Sequence, residues 1–403
     1  MVKRKLLASA MSPSAIPVTL FLEKGAQFEG LGWGDFTQPR SGEFVFCTAM
    51  TGMEESLTDP SFAGQVLVST VSHVGNTGYT EEDSESGRIW AEGLVCRHLE
   101  AVPSNWRAKK SLGDWILGEK RFVVEGIDTR QLTICLREEG SQRGIVVPSG
   151  QMSPQEASAY IEKKVPSMKG QDLTGVVSCK DPYSFKTTEK AFWPLASEFP
   201  AFLTNNKSPA KIAVWDFGVK RNTLRILEAA GAHVHVMPAK AKADELLAAG
   251  KDGIFLSNGP GDPAAATHII EELRKVLGKK PLFAICLGHQ LVAHAAGAKT
   301  YKMKFGHRGI HHPVIQMDSF GNPLRTWITS QNHGFAVDRE TLPKNVWVSF
   351  EHGDDHSVEG LSLPDSRCET VQFHPEAGPG PLDSCLLIKK FLQETMVGNN
   401  GRS

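Results

Sequence analysis

The sequence predicts an α/β protein: a C-terminal doubly wound, mostly parallel sheet with a nucleophile elbow, preceded by a smaller mixed β/α domain. Three observations predict it. From Lys211 onward, short apolar β-type runs alternate with helix-like segments, and βα repetition of this kind builds a parallel sheet with helices on both faces. Residues 282–290 run from an apolar strand through a cysteine straight into a helix. Upstream of residue 184 the β-type runs are short and lack the βα rhythm.

Residues 1–17 are expected to form a disordered start. The first 22 residues carry Lys3-Arg4-Lys5 and no acid, and the apolar run 6–11 is too short for a secretory signal. A cytoplasmic location is expected, with an organelle presequence as the alternative. Residues 18–30 alternate around Lys24-Gly25, a hairpin signature. Segments 43–47 and 65–71 read as strands and 128–138 as a helix, giving a first domain over 18–184. Periodicity is lost over 185–210, which reads as a linker. The second domain, 211–397, opens with strand 212–215 and helix 220–230. It continues with strand 233–237 and helix 242–249, then strand 253–256 and helix 265–277. Strand 282–285 leads into the elbow and a helix ended by Gly297. Strands at 325–329 and 346–350, a last helix over 382–396 and a tail from 398 to 403 complete the chain.

Composition excludes several classes. A net charge of −1 over 403 residues gives no reason to expect nucleic acid or an anionic membrane as partner. No apolar run approaches the roughly 20 residues that span a bilayer. Seven cysteines without paired spacing suit a reducing compartment rather than a disulfide framework.

Three segments carry chemistry. In Ala284-Ile-Cys-Leu-Gly288 the positions two away from Cys286 are small, as a sharp strand-to-helix turn demands. Such a turn pushes the nucleophile out of the backbone, and the helix N-terminus behind it favours the thiolate. A buried, inert cysteine is the competing reading of this segment taken alone. His374-Pro375-Glu376 ends an apolar run. The proline stops the strand, so His374 falls where active-site groups of α/β folds gather. Glu376 can hydrogen-bond the imidazole and fix its tautomer. Cys, His and Glu then form a thiol acyl-transfer triad. Ser257-Asn-Gly-Pro-Gly-Asp-Pro263 is a loop able to present backbone N–H groups to an oxyanion. The run His307-Arg-Gly-Ile-His-His312 looks metal-like. No nearby cysteine or carboxylate completes a four-ligand set, so no metal is expected.

These motifs together resemble the triad (class I) glutamine amidotransferases. Lys302-Met-Lys-Phe-Gly-His-Arg-Gly309 with His312-Pro-Val314, and Gln331-Asn-His-Gly-Phe-Ala-Val337, narrow the resemblance to the glutaminase (small) subunit of carbamoyl phosphate synthetase. Met50-Thr-Gly52, Leu57-Thr-Asp-Pro-Ser61 and Asp216-Phe-Gly-Val-Lys-Arg-Asn222 point the same way, so it extends from about residue 18 to about 395. Ala284 stands where that family usually has Gly, His311 where Asn is usual, Met53 where Tyr is usual and Gly378 where Ser is usual.

The resemblance implies hydrolysis of glutamine through a γ-glutamyl thioester on Cys286, with His374 moving the proton. The N–H groups of Leu287 and Gly259 would hold the oxyanion, and Ser61, Gly261, Gln290, Asn332, Gly334 and Phe335 would bind L-glutamine. No G-x-x-x-x-G-K-[ST] phosphate loop is present. No cofactor is therefore expected in this chain, whereas ATP and Mg²⁺ are expected on a large synthetase subunit that pairs with it as a heterodimer and receives the ammonia. The rival readings are an amidotransferase subunit of another synthase, a non-catalytic regulatory subunit and a free-standing thiol hydrolase.

Overall fold

The computed structural model describes residues 15–187 and 209–400, with side chains as far as residue 395. Most of the expected disordered start, linker and tail therefore lies outside the described residues. Ile16 and Pro17 do not, and they belong to a strand; nor do residues 398–400, which continue the last helix beyond its expected end at 396. The chain divides into two compact units, Met1–Met168 and Lys169–Ser403.

In the first unit seven strands close into a barrel: β1 (Ile16–Leu22), β2 (Gln27–Trp33), β3 (Arg40–Cys47), β4 (Gln65–Ser69), β5 (Gly93–Cys96), β6 (Phe122–Glu125) and β7 (Gln142–Pro148). The order around the barrel is β1-β2-β6-β5-β4-β3-β7, with β7 returning to β1. The expected hairpin is β1–β2, in which Leu20 faces Phe28 and Gly25, at φ 95°, makes the turn. Period-two alternation explains the closure. Val18, Leu20 and Leu22 of β1 join Phe44, Val66, Val95, Phe122 and Val146 in one core. Phe21, on the other face, packs with Ile145 and Val147 beneath helix Pro154–Lys164.

Besides the expected helix, Thr129–Glu139, this unit contains Met53–Thr58, Leu112–Gly118 and Pro154–Lys164. The last was legible from its start. Ser153 and Glu156 form a capping box around Pro154, with Glu156 Oε2 accepting the Ser153 N–H at 2.8 Å.

The second unit begins before the expected boundary. Asp172 bridges to Gly261, and β8 (Tyr183–Ser184) pairs with β10. These pairings tie 169–187 to the second unit instead of to the barrel. Its ten strands are β8, β9 (Lys211–Asp216), β10 (His233–Pro238), β11 (Gly253–Leu256), β12 (Leu282–Ile285), β13 (Thr300–Met317), β14 (Pro323–Val337), β15 (Trp347–His352), β16 (Val358–Leu363) and β17 (Cys368–Val371). Their order is β14-β13-β15-β16-β17-β12-β11-β9-β10-β8.

The parallel part is the central run β17-β12-β11-β9-β10. β16, β15, β13 and β14 extend it antiparallel on one side and β8 on the other. The sheet is thus half parallel, not mostly so. Between residue 297 and β17 the described residues place only two short 3₁₀ turns, and no α-helix, between successive strands, and strands joined by short connections pair antiparallel.

The central strands are apolar on both faces, as doubly covered strands must be. Ala213, Trp215, Ile254, Leu256, Leu282 and Ala284 meet the helices Ala243–Ala249, Thr267–Val276 and Leu287–Ala296. Ile212, Val214, Phe255, Phe283 and Ile285 meet Arg221–Ala229 and the final helix, Leu386–Asn400. That last helix starts four residues late because Asp383–Cys385 is a 3₁₀ turn. No described helix is long and apolar enough to cross a membrane.

Candidate active site

Cys286 sits between β12 and helix Leu287–Ala296 at φ 51°, ψ −106°, a conformation that non-glycine residues rarely adopt. Strain of this kind costs about 1–3 kcal/mol and persists only where the surroundings over-determine the backbone. Here they do. The Cys286 N–H donates to Val371 of β17 at 2.9 Å, Gly288 N–H donates to Ser257 at 3.1 Å, and Gln290 N–H closes the first helical turn on the Cys286 carbonyl at 3.1 Å. A Cβ at Gly288 would lie 2.8 Å from Leu256 Cβ and 2.9 Å from its carbonyl oxygen, so the helix can approach β11 only with glycine there. The Cys286 thiol points to β14, 3.7 Å from the Asn332 carbonyl oxygen.

His374 and Glu376 follow β17. The His374 N–H donates to Ser330 of β14 at 2.9 Å, which carries the histidine to the strand beside Cys286. His374 Nδ1 lies 2.7 Å from Glu376 Oε1, and both side chains are buried. Its Nε2 makes no hydrogen bond. Burial pushes the His374 pKa down, but the Glu376 carboxylate and the neighbouring Cys286 raise it well above the ordinary histidine value. Glu376 moves the opposite way: burial would raise its pKa, while His374 and Lys220 hold it below the usual carboxylate value.

Lys220 is the partner that sequence reasoning gave no role. The Asp216 carboxylate accepts the N–H groups of Gly218 and Val219, each at 2.8 Å, which turns the chain back after β9. Lys220 then reaches inward with its side chain only 2% exposed, its ammonium 3.4 Å from Glu376 Oε1 and donating to the Ala377 carbonyl. Asn222 donates to the Glu376 carbonyl. One carboxylate oxygen thus lies between an imidazole and an ammonium. A lysine and an asparagine at the first βα turn of an open α/β sheet, the usual ligand-binding end, were the available signal.

The other predicted residues fall around this centre in differing ways. A Cβ at Gly259 would stand 2.2 Å from the Phe217 carbonyl oxygen and 2.9 Å from Leu287 Cδ2, so the loop lies directly against the residue after Cys286. Gly261, at φ 101°, pairs with Asp172, and Asp262 accepts the Gly170 N–H at 2.8 Å. Gln290 donates to the Phe335 carbonyl at 2.8 Å and to Gln372 at 2.9 Å, so both its amide protons are engaged within the fold. Asn332, Gly334 and Phe335 follow one another on β14, and Phe335 is buried. Ser61 belongs to the first unit. It lies buried in a 3₁₀ turn, with its N–H donating to Asp59 Oδ1 at 2.9 Å.

Known proteins carry the same two-part arrangement. Residues 213–394 match the family "Glutamine amidotransferase class-I", which makes the second unit an α/β amidotransferase domain. Residues 20–146 match "Carbamoyl-phosphate synthase small chain, CPSase domain". The carbamoyl phosphate synthase small chain of Pseudomonas syringae pv. tomato is 45% identical over 377 residues, covering 93% of this chain and 97% of that one. The protein of the same name from Neisseria gonorrhoeae is 43% identical with the same coverage. That of Vibrio cholerae is 44% identical over 384 residues, 95% of this chain and 98% of the relative. Matched in both units and along nearly its whole length, the chain belongs to the carbamoyl phosphate synthase small chain family.

Proposed function

We propose that Cys286, His374 and Glu376 are the nucleophile, proton carrier and orienter of a glutaminase. The chain is the glutamine-hydrolysing small subunit of carbamoyl phosphate synthetase. The observation that carries the triad reading is a histidine held by a carboxylate at 2.7 Å, its other nitrogen without a hydrogen bond, beside a cysteine on a left-handed turn.

In this mechanism the Cys286 thiolate attacks the carboxamide carbon of glutamine from a nucleophile elbow. The oxyanion forms against the N–H groups of Leu287 and Gly259. Protonated His374 gives its proton to the departing nitrogen, ammonia leaves, and a γ-glutamyl thioester remains on Cys286. His374 then takes a proton from water, whose oxygen displaces the thiolate and frees glutamate. Glu376 stabilises the imidazolium and Lys220 positions Glu376. Gly261, Asn332, Gly334, Phe335 and the carbonyl oxygen of Gln290 hold the substrate, and Ser61 is assigned to glutamine binding as well. The ammonia passes to a large subunit in a heterodimer, which would hold ATP and Mg²⁺ and join the ammonia to bicarbonate, with ATP supplying the phosphoryl group of carbamoyl phosphate. A cytoplasmic location fits seven cysteines that are all free.

The proton-transfer roles have distinct signatures. His374→Asn is expected to lower kcat for glutamine hydrolysis by about 10⁴-fold, and Glu376→Gln by nearer 10²-fold. In Glu376→Gln the carboxylate that raises the His374 pKa is gone. The imidazolium should therefore be lost at lower pH, and the alkaline limb of the kcat profile should move toward neutrality. A larger loss in Glu376→Gln, or an unmoved limb, would reverse the assignment.

Ser61→Ala tests the assignment of that residue. It should raise KM for glutamine by about tenfold, the value of one hydrogen bond, and leave ammonia-dependent synthesis by the complex unchanged. An unchanged KM would remove Ser61 from glutamine binding.

A further inference from the structure

On the antiparallel side of the sheet, three buried side chains converge from three strands. His307 of β13 and His333 of β14 are register partners, and Glu359 comes from β16. His307 Nδ1 lies 3.2 Å from His333 Nε2. Glu359 Oε1 lies 3.6 Å from the first and 3.7 Å from the second. Donor atoms about 2.1 Å from a tetrahedral ion are about 3.4 Å from one another. The three separations match one face of such a coordination shell.

The far side of each group is held by a further partner. His333 Nδ1–H donates to the Phe335 carbonyl at 2.8 Å, which leaves a lone pair on Nε2. His307 Nε2–H donates to Asp355 Oδ2 at 3.0 Å, which leaves a lone pair on Nδ1. Gln331 donates to Glu359 Oε2 at 2.7 Å and leaves Oε1 toward the histidines. Partners of this kind, outside the ligands, fix tautomer and orientation in metal sites. With both rings neutral, two lone pairs and a carboxylate oxygen face one another in the interior, an arrangement that favours a cation between them. A proton shared by the imidazoles satisfies those two nitrogens and leaves Glu359 Oε1 only one long contact, the Ser357 hydroxyl at 3.5 Å. A metal ion satisfies all three.

We propose that His307, His333 and Glu359 bind one divalent ion of the zinc class, tying β13, β14 and β16 together. Two neutral imidazoles and a carboxylate form a ligand set that suits zinc. The neighbouring triplet His307, His312 and His352 is also close enough to share an ion. Its geometry does not suit one. The rings of His307 and His352 stack at 4.1 Å and 20°, and in-plane lone pairs of stacked rings do not converge. His312 and His352 pair with each other instead, at 3.1 Å. No carboxylate near the histidine run in sequence completes a ligand set; the fold brings Glu359 to it from a later strand. The ion would brace the stretch of β14 that holds Asn332, Gly334 and Phe335. It takes no part in the hydrolysis proposed above and stands independently of it.

The test uses the full chain with Cys286→Ser, so that the thiol binds no metal, after chelator treatment and dialysis against Zn²⁺ alone. Elemental analysis should find one zinc per chain, and X-ray absorption should find two imidazoles on the ion. His333→Gln should abolish the binding. Asp355→Asn alters no ligand and guards against a folding defect in the first variant; it should weaken binding by about 10–100-fold. Less than about one-tenth of an equivalent of zinc at saturation, no imidazole pair in the absorption spectrum, or affinity unchanged in both variants would overturn the proposal.

Discussion

Cys286→Ala is expected to lower glutamine hydrolysis by roughly 10⁴–10⁶-fold, the scale of losing a covalent nucleophile. Carbamoyl phosphate synthesis from added ammonia by the reconstituted complex should continue at its original rate. The two outcomes follow from separate chemistries. In the proposed mechanism ammonia enters after the thioester step, so a complex supplied with it no longer depends on the thiol. The thiol is buried at a turn held by Val371, Ser257 and the first turn of the helix. The smaller alanine side chain fits the same backbone, and the variant should fold. Paired assays with glutamine and with ammonium would check this. Appreciable glutamine turnover by the alanine variant would remove Cys286 from the mechanism, and loss of the ammonia reaction as well would show that the substitution disturbs the complex.

The largest effect on stability is expected at Lys220. Lys220→Met removes one charge from a pair in which the Glu376 carboxylate is fully buried and Lys220 nearly so. Breaking a buried pair from one side costs about 3–5 kcal/mol, because the remaining charge loses its counter-ion and keeps its desolvation penalty. At about 2–4 °C per kcal/mol for a domain of this size, the melting temperature should fall by roughly 6–20 °C. The pH dependence has a definite sign. Glu376 is held below its ordinary value of 4.5, so its contribution is present above that pH and is lost as pH falls through the folded-state pKa. Without Lys220 that folded pKa moves up, and acid unfolding should begin at a higher pH. Glu376→Gln added to Lys220→Met removes the stranded charge and should restore part of the loss. Calorimetry across pH would read all three effects. A loss below about 1 kcal/mol would mean that His374 alone neutralises Glu376.

Local signals in the sequence were enough to locate the chemistry. Ala284, Cys286 and Gly288 bound a turn that only small flanking residues permit. Gly297 ends the following helix at φ 105°. Each is a constraint between residues adjacent in the chain, which is why it could be read without coordinates. The βα rhythm of 211–285 was legible for the same reason, as was the hairpin turn at Gly25. β17, by contrast, ends at Val371, earlier than Pro375, with His374 held by a bridge to Ser330.

Contacts between distant segments were not legible. Lys220 and Glu376 stand far apart in sequence, and nothing local tells a lysine in a turn that its ammonium will face a carboxylate at the end of another strand. The antiparallel side of the sheet was hidden in the same way. β13 and β14 are long strands whose partly exposed faces carry mixed residues, so their period is weak. The closing of the barrel depends on β7 returning to β1, a pairing of residues more than a hundred positions apart. The sequence by itself therefore determined the proposed nucleophile, its proposed histidine and the turns that present them, because tight turns are set by nearest neighbours. Only the tertiary structure decided how Glu376 is neutralised and where Glu359 meets His307 and His333, because a buried charge is balanced by whatever the fold brings within a few ångströms.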